Sequence, residues 1–539
     1  MSANKFVLED FMEVKESSEK QIIKVKGEKK ETKTKRFKSL DKGLIISQIF
    51  YWLFAIIVMV YFRYGVFETT DMIKNILLAA TIVIAIVIDV MLIIFRQKNV
   101  AIHKQFLVYA LVLGLFYFIA TPFGNGTDEV SHFLRVFKIS QKYTNVKLYE
   151  DSLFPPAFSK LVDYKNNMYI EYENYIKEFE AFSMNSPEKR DLIDEYWNIK
   201  LYSPLQYVPQ AIGVTAGRLI SDNIVVIGMC GRVTGYIFWL ALCTYAIKLM
   251  PNKKVFLMIL CLLPINIFSA IAISGDTVTN AVCMLFIAMI YRKMYLEEKI
   301  NKKEKIILIL TACMLALCKI VYLPFVTLVF MLKESNFESK KELRRFCILL
   351  IIASVIVGLA WFVVGSSNLA TSNEASKDQL EFILKNPFDF VMVLLETVVV
   401  KGEQYIEQMC TGEELICHAK ATVFPIVSYV ISIALLLSLF TNEDDKKIEI
   451  NPLRVFWIGL IMFGTSLLIA TAIYIQWTSL FEVGKDIVLG IQGRYFIPIM
   501  ALMIFIVNKS KFETNSRHLV TAVILMQLPI LCQIMNVFI

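Results

Sequence analysis

The chain has 539 residues, of which 56% are hydrophobic and 19% charged, and a formal net charge of +8. Soluble domains sit near 45–50% apolar, and their apolar runs rarely reach the ~20 residues that cross a bilayer. Such runs recur here from end to end, so an ordinary soluble enzyme is excluded and a multi-pass membrane protein is expected. The positive charge does not imply a nucleic-acid partner, because Lys and Arg collect in short segments between the apolar runs, at 96–104, 248–254, 292–305, 333–345 and 509–517. Clusters of that kind orient helices, with the basic side cytoplasmic.

In chain order, residues 1–43 are rich in both Lys and Glu, have no apolar core and do not form a signal peptide. They read as a disordered cytoplasmic tail. Two spans, 44–62 and 73–95, follow within a segment ending at 105. A third, 106–121, leaves the cytoplasm. The polar stretch 122–202 is then a large external loop, and 203–220, apolar but interrupted by glycine, is an interfacial or re-entrant helix. Further crossings are expected at 224–247, 255–274 and 277–295, with two short helices, 306–317 and 321–332, flanking Cys318-Lys319. After a crossing at 346–364, a second external loop runs from 365 to 421 and contains an interfacial helix at 387–400. The crossings 422–440, 455–475, 491–507 and 519–538 complete an all-α polytopic protein of about thirteen spans. In this arrangement every strongly basic loop falls inside and both long loops fall outside.

The cysteines lie mostly inside apolar runs, where a thiol packs as a small hydrophobe. Cys410 and Cys417 fall instead in a polar stretch expected to face outward, so either an external disulfide or two free thiols fits the sequence. Zinc-type spacing, a Walker loop, a nucleophile elbow and a dinucleotide fingerprint are all missing from the sequence.

Four motifs stand out. The first, Thr127-Asp128-Glu129-Val130-Ser131-His132-Phe133-Leu134-Arg135, follows the third span and a turn-forming Gly124-Asn125-Gly126. Thr127 is expected to cap a helix on which Asp128, His132 and Arg135 share one face. Two acids in a first turn also complement the helix dipole, which is the purely structural reading. The second motif, Ser274-Gly275-Asp276, stands at a helix start, where a cap or a site would both suit it. The third is Lys319, which either snorkels to an interface or holds an anion. The fourth, Gln492-Gly493-Arg494-Tyr495-Phe496-Ile497-Pro498, places an arginine at a membrane edge, where it anchors at headgroups or grips a phosphate.

Together these positions resemble a family of bacterial multi-pass membrane proteins of unknown function that is related to the GT-C glycosyltransferases. The residues that carry the resemblance are Asp128-Glu129-x-x-His132-Phe133-x-Arg135, Ser274-Gly275-Asp276, Lys319-x-x-Tyr322-x-Pro324 and Gln492-Gly493-Arg494-Tyr495-x-x-Pro498. It covers residues 106–539, a GT-C-like core that leaves out the two spans within 44–105. The polar stretch from Cys410 to His418 departs from the family pattern.

The resemblance implies an enzyme of the bacterial cytoplasmic membrane, with its N-terminus cytoplasmic and its active face external. Such an enzyme moves a sugar from a polyprenyl-phosphate or polyprenyl-pyrophosphate carrier to a glycan or lipid acceptor, with inversion. Asp128 would serve as general base or as a ligand for a divalent cation such as Mg or Mn, supported by Glu129 or Asp276. His132 and Arg135 would orient Asp128 and the sugar. Lys319 and Arg494, with Tyr322, Gln492 and Tyr495 in the same motifs, would bind the carrier phosphate. A flippase or transporter for a lipid-linked glycan, and a polymerase of lipid-linked repeat units, are the alternatives.

Overall fold

The computed structural model describes residues 42–67, 70–142, 153–166, 171–184, 191–193, 202–367, 374–412, 425–441, 451–507 and 514–539. The chain divides into two compact units, Met1–Tyr61 and Phe62–Ile539. Among the described residues the first unit consists of one helix, Lys42–Tyr61. Its Ile49, Phe50 and Ile57 are more than half exposed, which suits a lipid surroundings rather than water.

The protein is an all-α membrane protein. Among the described residues seven helices are long and apolar enough to cross a bilayer, or eight if one bent pair counts as a single span. This is fewer than the expected thirteen or so, and the reasons are local. The stretch expected to cross at 255–274 breaks into Lys254–Cys261 and Pro264–Ile271, bent by 58°, with Pro264 starting the second helix. Residues Ile320–Met331 wind as a 3-10 helix around Pro324, and Pro425–Ser438 and Gly493–Phe505 are short. The helix Gly275–Leu296 is almost wholly enclosed by its neighbours Ile224–Leu249 and Lys302–Cys318.

The first long loop is not a bare connection. Helices Glu129–Lys142 and Pro156–Asn166 and a two-residue strand pair, Leu153–Phe154 with Asp191–Leu192, pack an aromatic core that continues into Val214, Ile224 and Ile273. In it Phe133 stacks on Phe158 at 5.3 Å and meets Phe123 edge-on at 4.9 Å. The apolar, glycine-broken segment that follows forms a short 3-10 turn, Pro204–Tyr207, and the helix Val208–Ile220. That helix lies tightly along Ile224–Leu249 because Gly213 has no side chain. A Cβ there would sit 2.2 Å from the Cys230 carbonyl oxygen.

In the second long loop, helices Glu374–Lys385 and Pro387–Cys410 follow one another, the latter running past the expected end at 400. Phe388, Val391, Met392, Leu395, Val398 and Val399 recur at helical spacing along one exposed stripe. Cys410 is a free, buried thiol whose Sγ lies 3.0 Å from the Ser432 hydroxyl. Cys417, the other cysteine of that polar stretch, lies outside the described residues.

Candidate functional site

The Asp128-Glu129 pair separates into two different environments. Asp128 adopts the left-handed backbone conformation, φ 56°, which Asp tolerates better than most residues. The helix therefore starts at Glu129, one residue later than expected, and the Thr127 hydroxyl is buried without a hydrogen-bond partner instead of capping it. Glu129 instead braces the turn before the helix: its Oε2 reaches back to accept from Gly124 N at 2.9 Å and Gly126 N at 3.1 Å.

Glu129 is also fully buried. Its Oε1 accepts from Ile273 N at 2.9 Å, and both oxygens are held by Arg232 through Nε at 2.6 Å and Nη2 at 2.5 Å. The Arg232 guanidinium, equally buried, donates its remaining hydrogen bonds to the Thr121 and Pro122 carbonyls. Glu129 was expected to support Asp128 in chemistry. Its geometry is that of a latch, tying the loop at 121–129 to the helix Ile224–Leu249 and to the chain at Ile273.

Asp128 faces the other way. Its Oδ2 accepts from Arg494 Nη2 at 2.5 Å, a contact that spans 366 positions of sequence. The same guanidinium sits 3.0 Å from Asp276 Oδ2, and the other Asp276 oxygen accepts from Lys319 Nζ at 2.5 Å. Asp128, Arg494, Asp276 and Lys319 thus form one continuous chain of alternating charge. Three of its four members are largely buried, while the Asp128 side chain is 49% exposed.

Local chemistry explains each placement. Ser274 caps the helix Gly275–Leu296, accepting from Asp276 N at 3.1 Å, as its sequence suggests, and so fixes Asp276 in the first turn. Lys319 follows the last residue of the helix Lys302–Cys318, in extended conformation, and its ammonium lies 4.7 Å from the centre of the Tyr495 ring. Gly493 brings Arg494 into place by pressing against the helix Pro387–Cys410. A Cβ there would lie 2.2 Å from the Tyr405 carbonyl oxygen, while Gly493 N donates to Gln408 Oε1 at 2.9 Å. Arg494 Nε donates to Gln492 Oε1 at 2.6 Å, and the Tyr322 hydroxyl donates to the Tyr495 carbonyl at 2.9 Å. Lys319 and Tyr322 of the third motif thus meet Gln492, Gly493, Arg494 and Tyr495 of the fourth at one turn.

His132 and Arg135 are placed differently from expectation. His132 Nδ1 shares a 2.6 Å hydrogen bond with the Tyr207 hydroxyl, and Arg135 Nη2 donates to the Tyr202 carbonyl at 3.2 Å. Through these bonds they grip the Tyr202–Tyr207 turn. Burial pushes His132 down to about 4 against the pull of Asp128 and Asp276, so it is neutral at pH 7.

That turn, which sequence reasoning missed, carries Gln206, a fully buried residue whose amide has no partner at either end and packs against Gly275. Arg232 was missed as well, hidden in an apolar run. The available signal was the rarity of an arginine inside a span.

Beside the charged chain lies a cavity of about 200 Å³. Lys319, Tyr322 and Tyr495 line it on one side. Its other walls are Gly358, Trp361 and Phe362 from one candidate span and Ile469, Ala472 and Ile473 from another. Among the described residues no group of three or more His, Cys, Asp or Glu side chains is placed to hold a metal. The two acids of the site are each committed to a cation, and two positive side chains beside them oppose a third positive charge. The donor set does not fit a divalent cation.

The family model of DUF2142, a predicted membrane protein, matches residues 111–503. The chain belongs to this family. The DUF2142 segment contains all four motifs, the Arg232 latch and the cavity, and leaves out the helices Lys42–Tyr61 and Asp71–Lys98. No curated protein and no solved structure matches the chain.

Proposed function

We propose that this protein is a GT-C-type glycosyltransferase. It takes a sugar from a polyprenyl-phosphate or polyprenyl-pyrophosphate carrier and attaches it to a cell-surface glycan or lipid-linked acceptor on the external face of a bacterial cytoplasmic membrane. One observation carries the reading. Four charged side chains from distant parts of the sequence converge next to an apolar cavity between two candidate spans, and Lys319 belongs to both. A phosphate on an apolar tail needs that pairing of cations with an apolar wall.

In the proposed reaction the carrier tail lies in the cavity and its phosphate meets Lys319 and Arg494. Asp128, exposed at the end of the charged chain, takes the proton of the acceptor hydroxyl. The hydroxyl oxygen bonds to the anomeric carbon as the bond from that carbon to the phosphate oxygen breaks. The electron pair stays on the phosphate, where the two cations offset the charge that develops. A single displacement inverts the anomeric centre. Asp276 keeps Lys319 and Arg494 aligned, and His132 and Arg135 hold the Tyr202–Tyr207 turn over the site. No step is assigned to a metal ion.

Asp128→Asn tests the assignment, because Asn fits the same backbone conformation but cannot take a proton. With a polyprenyl-phosphate sugar in lipid nanodiscs, product formation is expected to fall by about 10²–10⁴. Normal glycan output from this variant would remove the enzyme reading and leave a carrier of lipid-linked glycan. A second variant, Ala472→Phe, fills the cavity away from the charges. KM for the lipid donor is expected to rise about tenfold, equivalent to about 1.4 kcal/mol of lost contact, with little change in kcat. An unchanged KM would show that the tail lies elsewhere.

A further inference from the structure

Two cations and two carboxylates balance one another in the charged chain, so an arriving phosphate adds uncompensated negative charge unless a carboxylate gives way. The two acids differ sharply in how easily they can do so. Asp276 is buried, accepts from Lys319, lies against Arg494 and is fixed in a capped helix turn. Asp128 is half exposed, and the turn that carries it is braced by Glu129, which accepts from Gly124 N and Gly126 N. Arg494 also has spare capacity. Its Nη1 lies close to Asp276 but is not aligned for a hydrogen bond with it, leaving an unsatisfied N–H on a guanidinium only 3% exposed.

We propose that Asp128 is a stand-in anion for Arg494, displaced by the phosphate of the donor and thereby released to act on the acceptor. This deepens, and rests on, the reading of the site as one for a lipid-linked phosphate. In the free protein the carboxylate accepts from the guanidinium. A phosphate oxygen takes over the Arg494 Nη2 donor and engages Nη1, and the Asp128 side chain turns toward the open side. Binding is therefore ordered, donor before acceptor, and a water molecule meets no free base until a donor is in place.

Exchange of this kind has a consequence opposite to that of an ordinary binding residue, since removing the carboxylate should strengthen phosphate binding. The test measures binding of farnesyl phosphate, with farnesol as the uncharged control, to the full chain in nanodiscs. Wild type is compared with Asp128→Asn and Asp128→Gly, both of which suit the left-handed backbone. Both variants are expected to bind farnesyl phosphate more tightly by about fivefold or more, the usual lower end of coupling between competing interactions, with farnesol binding unchanged. If wild type prefers farnesyl phosphate to farnesol but the variants bind it equally or more weakly, the exchange is refuted and the lipid-phosphate site stands. If none of the three proteins distinguishes farnesyl phosphate from farnesol, the site reading fails and the exchange fails with it.

Discussion

Replacing Arg232 by methionine is expected to destabilise the protein by about 3–5 kcal/mol, the largest stability effect of any single substitution considered. The guanidinium is wholly buried and answers both Glu129 oxygens and two backbone carbonyls. Without it the Glu129 carboxylate is left in a low-dielectric interior with only the amides of Gly124, Gly126 and Ile273. Breaking one half of a buried pair leaves an uncompensated charge, which is why the cost is that large. The double variant Arg232→Met with Glu129→Gln removes both charges and should recover much of the loss. Thermal unfolding of the detergent-purified protein provides the comparison. A single variant as stable as wild type, or a double variant worse than the single, would show that the pair is not what fastens the loop.

Arg494→Gln is expected to have the largest effect on activity after loss of the base itself, a fall of about 10²–10³ in kcat. Arginine at this position touches Asp128 and Asp276 together, so in the proposed reaction its removal would take away a partner of the base and a cation from the leaving phosphate. Glutamine keeps polarity and some of the volume but no charge. Arg494→Lys separates the two contributions, because an ammonium restores charge but not the planar fork that spans two partners. Single-turnover measurement with saturating donor should place the lysine variant between wild type and glutamine. Equal rates for arginine and glutamine would remove Arg494 from the chemistry.

How far the sequence reveals this arrangement depends on whether a feature is local. Ser274 is legible as a cap because capping acts over two residues, and the capped turn is there. The grouping of Asp128, Asp276, Lys319 and Arg494 was expected from the family resemblance, and the contacts among them are direct. The different settings of Asp128 and Glu129 were not legible, because an adjacent pair of acids looks uniform in sequence. The residue that distinguishes them, Arg232, lies 103 positions away. Helical spacing placed His132 and Arg135 on the face of Asp128, and the family resemblance supplied their role; spacing gives the face of a helix but not what that face meets. The Tyr202–Tyr207 turn could not be foreseen from composition, since its importance lies in contacts to the helix Glu129–Lys142. Against the thirteen or so crossings expected, the described residues hold seven helices, or eight with one bent pair, that are long and apolar enough to cross. Hydropathy adds up apolar residues without registering that Pro264 and Pro324 end or tighten the helices around them.

The charged chain draws its members from positions 128, 276, 319 and 494, and this sets a schedule for the protein's birth. Synthesis runs from the N-terminus, so the latch between Glu129 and Arg232 can close early, while Asp128 must wait for more than three hundred further residues before Arg494 emerges. For most of its synthesis the nascent chain holds an aspartate with no arginine opposite it. A chain that stops short of the final turn carries an assembled scaffold and an unfinished centre. The charged chain is therefore completed late, when residues 492–495 dock against the helix Pro387–Cys410.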